Sequence, residues 1–437
     1  MKKPGATRAL HSILLFALVG LATATLTISF LPLHSTRVIS GLSIAGFLML
    51  LCQKKIVINL NGLLIYFFLV IYVIYVGILT VFSGSGDLVY LKKSTSLLLD
   101  GVPSAVFIAL ILIYKNRFHE FPKDRAFYDF CLFFFWFSVF VSITVIGSFL
   151  IPEFRVIVES LFPAQGNIID SSHPDYSYRI RGILPATGAS ASVYFAFGVV
   201  LGLVASERVM DGGYFKKFAT IIGFFTLITA LILNGRSGFV VLAIGAVTLF
   251  FYFVFKCVVC HVVTKGLLLN VLFLIFILMF SGYLFLTTEV GNFKAMYRLV
   301  DDFLLIISSG GSEGTVGALI DMYFIPPSKI LFLFGDVSTF NSNRIPSDVG
   351  YIRVLHSVGV FGFILFYLFW VVSYLTIIFG PTSIKLKVLF CYLIIITFIL
   401  ESKEPFFLYL YLATILMVPI SIYCLSPRIL PQVPHVK

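Results

Sequence analysis

The chain has 437 residues, of which 59% are hydrophobic and only 12% charged, with a formal net charge of +11 and a mean hydropathy of +1.05. So few charges cannot cover the surface of a water-soluble protein of this size, so the composition excludes a soluble globular enzyme and calls for lipid as solvent.

A membrane-crossing helix needs roughly 20 mostly apolar residues. In chain order, that rule predicts spans over 10–32, 37–53, 61–82, 96–114, 127–151, 186–205, 217–234, 238–256, 266–286, 350–379, 386–400 and 405–425. The stretches are too long for barrel strands and lack strict alternation, so they read as helices. The expected fold is all-α: one polytopic membrane domain over 1–437 with about twelve transmembrane helices. Two long polar segments, 152–185 and 287–349, interrupt it and fall on one side of the membrane. Each is expected to contain amphipathic helices lying on the bilayer.

Lysine and arginine set the orientation. With both termini cytoplasmic, the inner segments hold 18 basic residues against five acidic ones, and the outer side holds 13 basic against 15 acidic. The net positive charge then belongs to the cytoplasmic face and needs no nucleic acid to explain it. Met1-Lys2-Lys3 and the apolar run after it also admit a cleaved signal peptide ending at Ala22-Thr23-Ala24. The run continues past that point, which favours an uncleaved first span. None of the six cysteines falls in either long outer segment. Cys257-Val258-Val259-Cys260-His261 matches a c-type haem attachment pattern, but Lys256 and Lys265 put it on the inner face, where that attachment does not occur. No haem or other cofactor is expected, and no outer cluster has metal-ligand spacing.

Charges at the outer ends of spans are the candidates for chemistry, because each must be tolerated beside hydrocarbon. Arg179 and Arg181, in Tyr176-Ser177-Tyr178-Arg179-Ile180-Arg181-Gly182, lead into the sixth span. Two permanently charged guanidinium forks suit phosphate oxygens, whereas a structural reading makes them snorkelling anchors. Arg236 sits in the tight turn Asn234-Gly235-Arg236-Ser237-Gly238. Asp348 precedes the tenth span in Ser347-Asp348-Val349-Gly350-Tyr351-Ile352-Arg353. There it is either an N-cap or a chemical carboxylate. Asp348, Ile352, Leu355, Gly359 and Gly362 form one helical stripe, whose glycines allow another helix to approach closely. Tyr351, Arg353 and His356 share that helix. His356 reads more readily as a hydrogen-bonded packing residue, Arg298 beside Asp301 and Asp302 as a surface ion pair, and Glu401-Ser402-Lys403-Glu404 as a solvated cap.

Arg181-Gly182, Gly235-Arg236-Ser237-Gly238, Leu333-Phe334-Gly335 and Ser347-Asp348-Val349-Gly350-Tyr351, continued by Leu355, Gly359 and Gly362, resemble bacterial O-antigen polymerases of the Wzy type, which belong with the O-antigen ligases. The resemblance covers most of the chain in topology and about forty residues in motifs. The ligases carry a histidine where alignment on Tyr351, Leu355, Gly359 and Gly362 puts Asp348. His356 is out of register with that histidine, which favours polymerase.

The resemblance implies a metal-independent glycosyltransferase in the bacterial inner membrane, acting on undecaprenyl-pyrophosphate-linked oligosaccharide at the periplasmic face. It also implies a polysaccharide chain-length regulator as a partner beside membrane lipid. On this reading Arg181 and Arg236 hold the donor pyrophosphate and Asp348 takes the proton of the attacking hydroxyl. Arg179, Arg353, Tyr351, Arg298 and His356 are substrate-binding candidates. The alternatives are an O-antigen ligase acting on lipid A–core, and a transporter or flippase of the lipid-linked unit. A transporter is expected to carry charge near the bilayer midplane, where only Asp100 stands out here.

Overall fold

The computed structural model describes residues 4–29, 34–52, 56–57, 60–84, 87–163, 180–186, 188–210, 213–235, 237–258, 320–340, 347–424 and 428–429. Its regular structure is helical: α1 Pro4–Ala24, α2 Ser35–Cys52, α3 Leu60–Ser83, α4 Val89–Ser96, α5 Val102–Lys115, α6 Pro122–Leu150, α7 Pro152–Leu161, α8 Ala189–Met210, α9 Tyr214–Asn234, α10 Ser237–Val258, α11 Lys329–Phe334, α12 Gly350–Phe379, α13 Ile384–Glu401 and α14 Leu410–Cys424. A π-helical turn, Leu97–Gly101, joins α4 to α5. The strand pairing among the described residues is one two-residue antiparallel ladder, Ile56–Val57 with Arg428–Ile429.

Among the described residues, seven helical stretches are long and apolar enough to cross a membrane: Leu64–Ser83, Val89–Lys115, Pro122–Leu150, Ala189–Ser206, Tyr214–Asn234, Ser237–Phe255 and Gly350–Phe379. Twelve were expected. Of the remainder, 37–53 corresponds to the 18-residue α2, which is not among the seven, 266–286 lies outside the described residues, Leu10–Ala24 and Leu410–Cys424 are apolar but short, and α13 carries Lys385, Lys387 and Glu401. The last predicted span begins late because Phe406–Leu408 turns as a 3₁₀ helix before α14 starts. Large apolar side chains such as Phe67, Ile74, Phe250, Phe251, Ile364 and Ile395 stand exposed along these helices. Such a surface suits lipid and would be a liability in water.

The chain forms two compact units: residues 1–20, 24–34 and 131–322, and residues 21–23, 35–130 and 323–437. In the first, α8 is the enclosed helix, packed against α9 and α10. Gly198 and Gly202 lie one turn apart on α8, and small residues at that spacing let helices close up. A Cβ on Gly202 would lie 2.3 Å from the Phe135 ring of α6, and one on Gly223 of α9 would lie 2.9 Å from it. Glycine on both helices makes the slot that this ring fills. The short α7 is amphipathic as expected of 152–185: Val158 is buried, Val156 and Ile157 are exposed, and Arg155 pairs with Glu159 at 2.9 Å along the polar edge.

In the second unit α12 packs against α3, α11 and α13, while α5 packs against α2 and α14. Asp100, the conspicuous mid-span charge, sits in the π turn and is neutralised by Arg37 of α2 at 3.3 Å. An aromatic cluster fills the space beneath the start of α12. Trp370 stacks on Phe407 at 4.6 Å, and Tyr72 lies against Phe366 at 5.0 Å.

The stripe predicted along α12 is not one continuous helix. Gly359 has φ 62° and ψ −175°, which breaks the helix there. The break frees carbonyls from their intrahelical partners, and in an apolar surrounding each needs another donor. The His356 carbonyl accepts from Asp336 N–H at 2.7 Å, and the Val358 carbonyl accepts from the Tyr75 hydroxyl of α3 at 3.0 Å. Leu333-Phe334-Gly335 lies directly against the break. A Cβ on Gly359 would come within 2.3 Å of the Leu333 carbonyl oxygen, and one on Gly335 (φ 74°) within 2.4 Å of the Gly359 nitrogen. The two glycine motifs are halves of one contact.

Gly359→Ala therefore combines left-handed backbone strain with a backbone clash. Gly84 also has positive φ (58°) but open space around it, so Gly84→Ala meets only the strain, of about 1–2 kcal/mol. Thermal melts of the purified variants in detergent should show Gly359→Ala lowering the midpoint far more than Gly84→Ala. Equal shifts would mean the contact at Gly359 contributes nothing.

Candidate functional site

The polar end of α12 gathers the second unit's candidate residues. The helix begins at Gly350 with Val349 as N-cap and no side-chain cap. The Ser347 hydroxyl accepts from Val349 N–H at 3.2 Å instead. Asp348 is thus not the cap that its position suggested. Its side chain is 71% exposed, and its Oδ1 accepts from Arg353 Nη2 at 3.1 Å. Oδ2 has no partner among the described residues. Arg353 also donates from Nε to the Ser347 carbonyl at 2.6 Å, so its fork is fixed across the turn that carries Asp348. The ion pair is exposed enough to add little stability; its effect is to orient both groups.

Tyr351 and His356 are held elsewhere. The Tyr351 hydroxyl donates to the Phe398 carbonyl of α13 at 2.7 Å, and its ring lies 5.3 Å from Tyr367. Beside it runs an open apolar groove of about 580 Å³ lined by Tyr351, Ile394, Ile395, Phe398, Ile399 and Ser402. His356 is buried, with Nε2 3.1 Å from the Phe324 carbonyl and its ring edge-on to Phe324. That geometry pins residues 323–336 to α12, the packing role read from its sequence.

Glu401, read from the sequence as part of a solvated cap, is fully buried. Its Oε1 accepts from the Tyr367 hydroxyl at 2.8 Å and its Oε2 from Phe407 N–H at 3.1 Å. Among the described residues no cation pairs with it. The start of α12 rests on this group: a Cβ on Gly350 would lie 2.8 Å from the Glu401 carboxyl carbon and 2.7 Å from the Glu404 carbonyl oxygen. Glu401 and Tyr351 together hold the end of α12 against α13, which sets where Asp348 and Arg353 project.

Sequence reasoning also passed over Lys93 of α4. Its Nζ lies 5.2 Å from the Phe340 ring centroid and 5.5 Å from that of Tyr409. The Arg353 guanidinium lies 5.9 Å from the same Phe340 ring. The available signal was a charged pair, Lys92-Lys93, at the N-terminal end of a span.

In the first unit, Arg181 is buried, 7% exposed. Its Nη1 donates to the Leu184 carbonyl at 3.2 Å, closing a tight turn whose Leu184 N–H returns a bond to the Arg181 carbonyl at 3.1 Å. Burial lowers its pKa from the usual guanidinium value, and nearby Glu159 works the other way; the group stays charged. Gly182 (φ 56°) seats this turn on α6, where a Cβ would lie 2.5 Å from Thr144 Oγ1. Seven residues on, α8 begins. Its Ser192 hydroxyl accepts from Gly238 N–H at 3.1 Å, and Gly235 sits against the Gly188 carbonyl. The starts of α8 and α10 therefore share one corner, and the residues flanking Arg236 pack against the start of α8. Arg236, Arg179 and Arg298 themselves lie outside the described residues.

No family model, no curated protein and no solved structure matches this chain.

Glu401→Ala would strand two buried donors, the Tyr367 hydroxyl and the Phe407 amide, and should cost about 2–4 kcal/mol. Glu401→Gln keeps an acceptor for one of them and should cost clearly less. Denaturant or thermal unfolding in detergent measures both; a harmless Glu401→Ala would show that this group does not hold the helix end.

Proposed function

We propose that the protein is a membrane glycosyltransferase of the O-antigen polymerase kind, with both termini cytoplasmic, about twelve spans and its chemistry at the periplasmic face of a bacterial inner membrane. The observation that carries this reading is Asp348: an exposed carboxylate, oriented by Arg353, at the polar end of an otherwise apolar helix. A soluble-facing carboxylate fixed at that level is suited to a substrate whose lipid lies in the bilayer and whose sugars lie outside it.

In the proposed reaction an acceptor sugar hydroxyl of one lipid-linked repeat unit attacks the anomeric carbon of a growing glycan. A new carbon–oxygen glycosidic bond forms as the bond from that carbon to undecaprenyl pyrophosphate breaks. The bonding pair leaves with the pyrophosphate, and the hydroxyl proton passes to the free oxygen of Asp348. A positioned base typically supplies a factor of about 10²–10⁴. Arg181 and Arg236 would bind the pyrophosphate, an assignment supported by the shared corner of the α8 and α10 starts, since helix N-termini favour anions. Neither chemistry nor partner requires a cofactor.

One observation favours the transporter reading. Broken helices are common in transporters, where unwound backbone lines a path. Here, however, the freed carbonyls at Gly359 are taken up by Tyr75 and Asp336 and the break is filled by Leu333–Gly335. A plugged break is a poor conduit.

Deleting the gene and running the cell's lipopolysaccharide on a gel tests the reading. The expected change is from a long ladder to core carrying a single repeat unit. Complementation with Asp348→Asn should leave that pattern, at a rate roughly a hundredfold or more below wild type, and Arg236→Glu should shorten or abolish the ladder. Loss of every repeat with lipid-linked polymer accumulating would make the protein a ligase, and an unchanged ladder would reject both.

A further inference from the structure

We infer that Lys93 and Arg353 form a binding site for a lipid-borne phosphoryl group beside Asp348. Two cations from separate elements, α4 and α12, are brought over one aromatic ring, with Lys93 Nζ at 5.2 Å and the Arg353 guanidinium at 5.9 Å from the centre of Phe340. Like charges so placed repel, and each is partly withdrawn from water. Only one carboxylate is hydrogen-bonded to either cation among the described residues, Asp348 on Arg353. The other acid close by, Glu404, accepts from the Tyr409 hydroxyl at 3.2 Å. Lys93 itself has aromatic faces, Phe340 and Tyr409, and no carboxylate partner among the described residues.

The donors left over suit an anion. Arg353 uses Nε on the Ser347 carbonyl and Nη2 on Asp348, which leaves Nη1 uncommitted among the described residues. Lys93 offers an ammonium with three donors on a flexible stem. An anion held beside Phe340 relieves the repulsion between the two, and a phosphoryl group has oxygens pointing in several directions, each able to accept from a separate donor. The aromatic rings under the cations hold them in place while the site is empty. In the proposed membrane placement this end of α12 lies at the level of lipid headgroups. The ligand's phosphate is then carried on a lipid: the pyrophosphate of a polyprenyl-linked sugar, or a phospholipid headgroup. The structure favours the first, because the site adjoins Asp348; the pyrophosphate held here belongs to the second lipid-linked unit, not to the one assigned to Arg181 and Arg236. That preference rests on the glycosyl-transfer reading; the anion site does not.

The test uses the full-length protein in detergent, with binding of undecaprenyl pyrophosphate followed by thermophoresis and phosphatidylglycerol as competitor. Lys93→Met should weaken binding roughly tenfold, the usual effect of losing about one charge-assisted contact. Lys93→Arg should retain it, and Arg353→Met should weaken it similarly. Melting curves of each variant report folding separately. Unchanged affinity in Lys93→Met overturns the inference. Equal competition by phosphatidylglycerol overturns the assignment to a pyrophosphate lipid and leaves a headgroup site. Lys93-dependent binding in a protein whose deletion leaves the lipopolysaccharide ladder intact keeps the site and removes the polymerase reading instead.

Discussion

Backbone that leaves its helix in an apolar surrounding must find hydrogen-bond partners within the protein, and the second unit is organised around one such place. The break in α12 at Gly359 frees carbonyls that water cannot serve. Asp336 and Tyr75 serve them, which obliges residues 333–336 and α3 to lie where they do. Close contact of backbone with backbone then requires glycine at 335 and 359. His356 extends the same seam through the Phe324 carbonyl. What looks like two unrelated short motifs in the chain is one joint.

The end of α12 above that joint is positioned from the other side by Glu401. A buried acid that no described cation pairs with is costly, and is retained here with two hydrogen bonds that brace Tyr367 and the 3₁₀ turn at Phe406–Leu408. Gly350 lets α12 settle onto it. Asp348 and Arg353 thus sit on a helix end clamped by α11 below and α13 beside. A carboxylate and two cations so fixed can meet a charged substrate without first paying to order themselves, which is the advantage of preorganised groups.

The first unit solves a different problem by the same means. Phe135 needs a slot, and glycines on α8 and α9 supply it. Arg181 turns inward to its own Leu184 carbonyl, so the arginine that the sequence offered as an outward phosphate ligand acts at least in part as a staple for its turn.

Helix class, most helix positions and the amphipathic stretch after α6 were legible in the sequence alone, because the cost of burying polar backbone and charge in lipid acts on every residue and leaves a composition signal. Gly359 was legible as a glycine that lets another segment approach α12, whereas Gly335 stood out only through the family resemblance. Only the tertiary structure decided that the α12 stripe is broken, that Asp348 is paired rather than capping, that Glu401 is buried and that Lys93 and Arg353 share the Phe340 ring. These depend on which segments, 333–336, 401–409 and 89–96, come together around one helix end. A charge in sequence looks the same whether water, an aromatic ring or a distant carboxylate will receive it, and packing alone makes that choice.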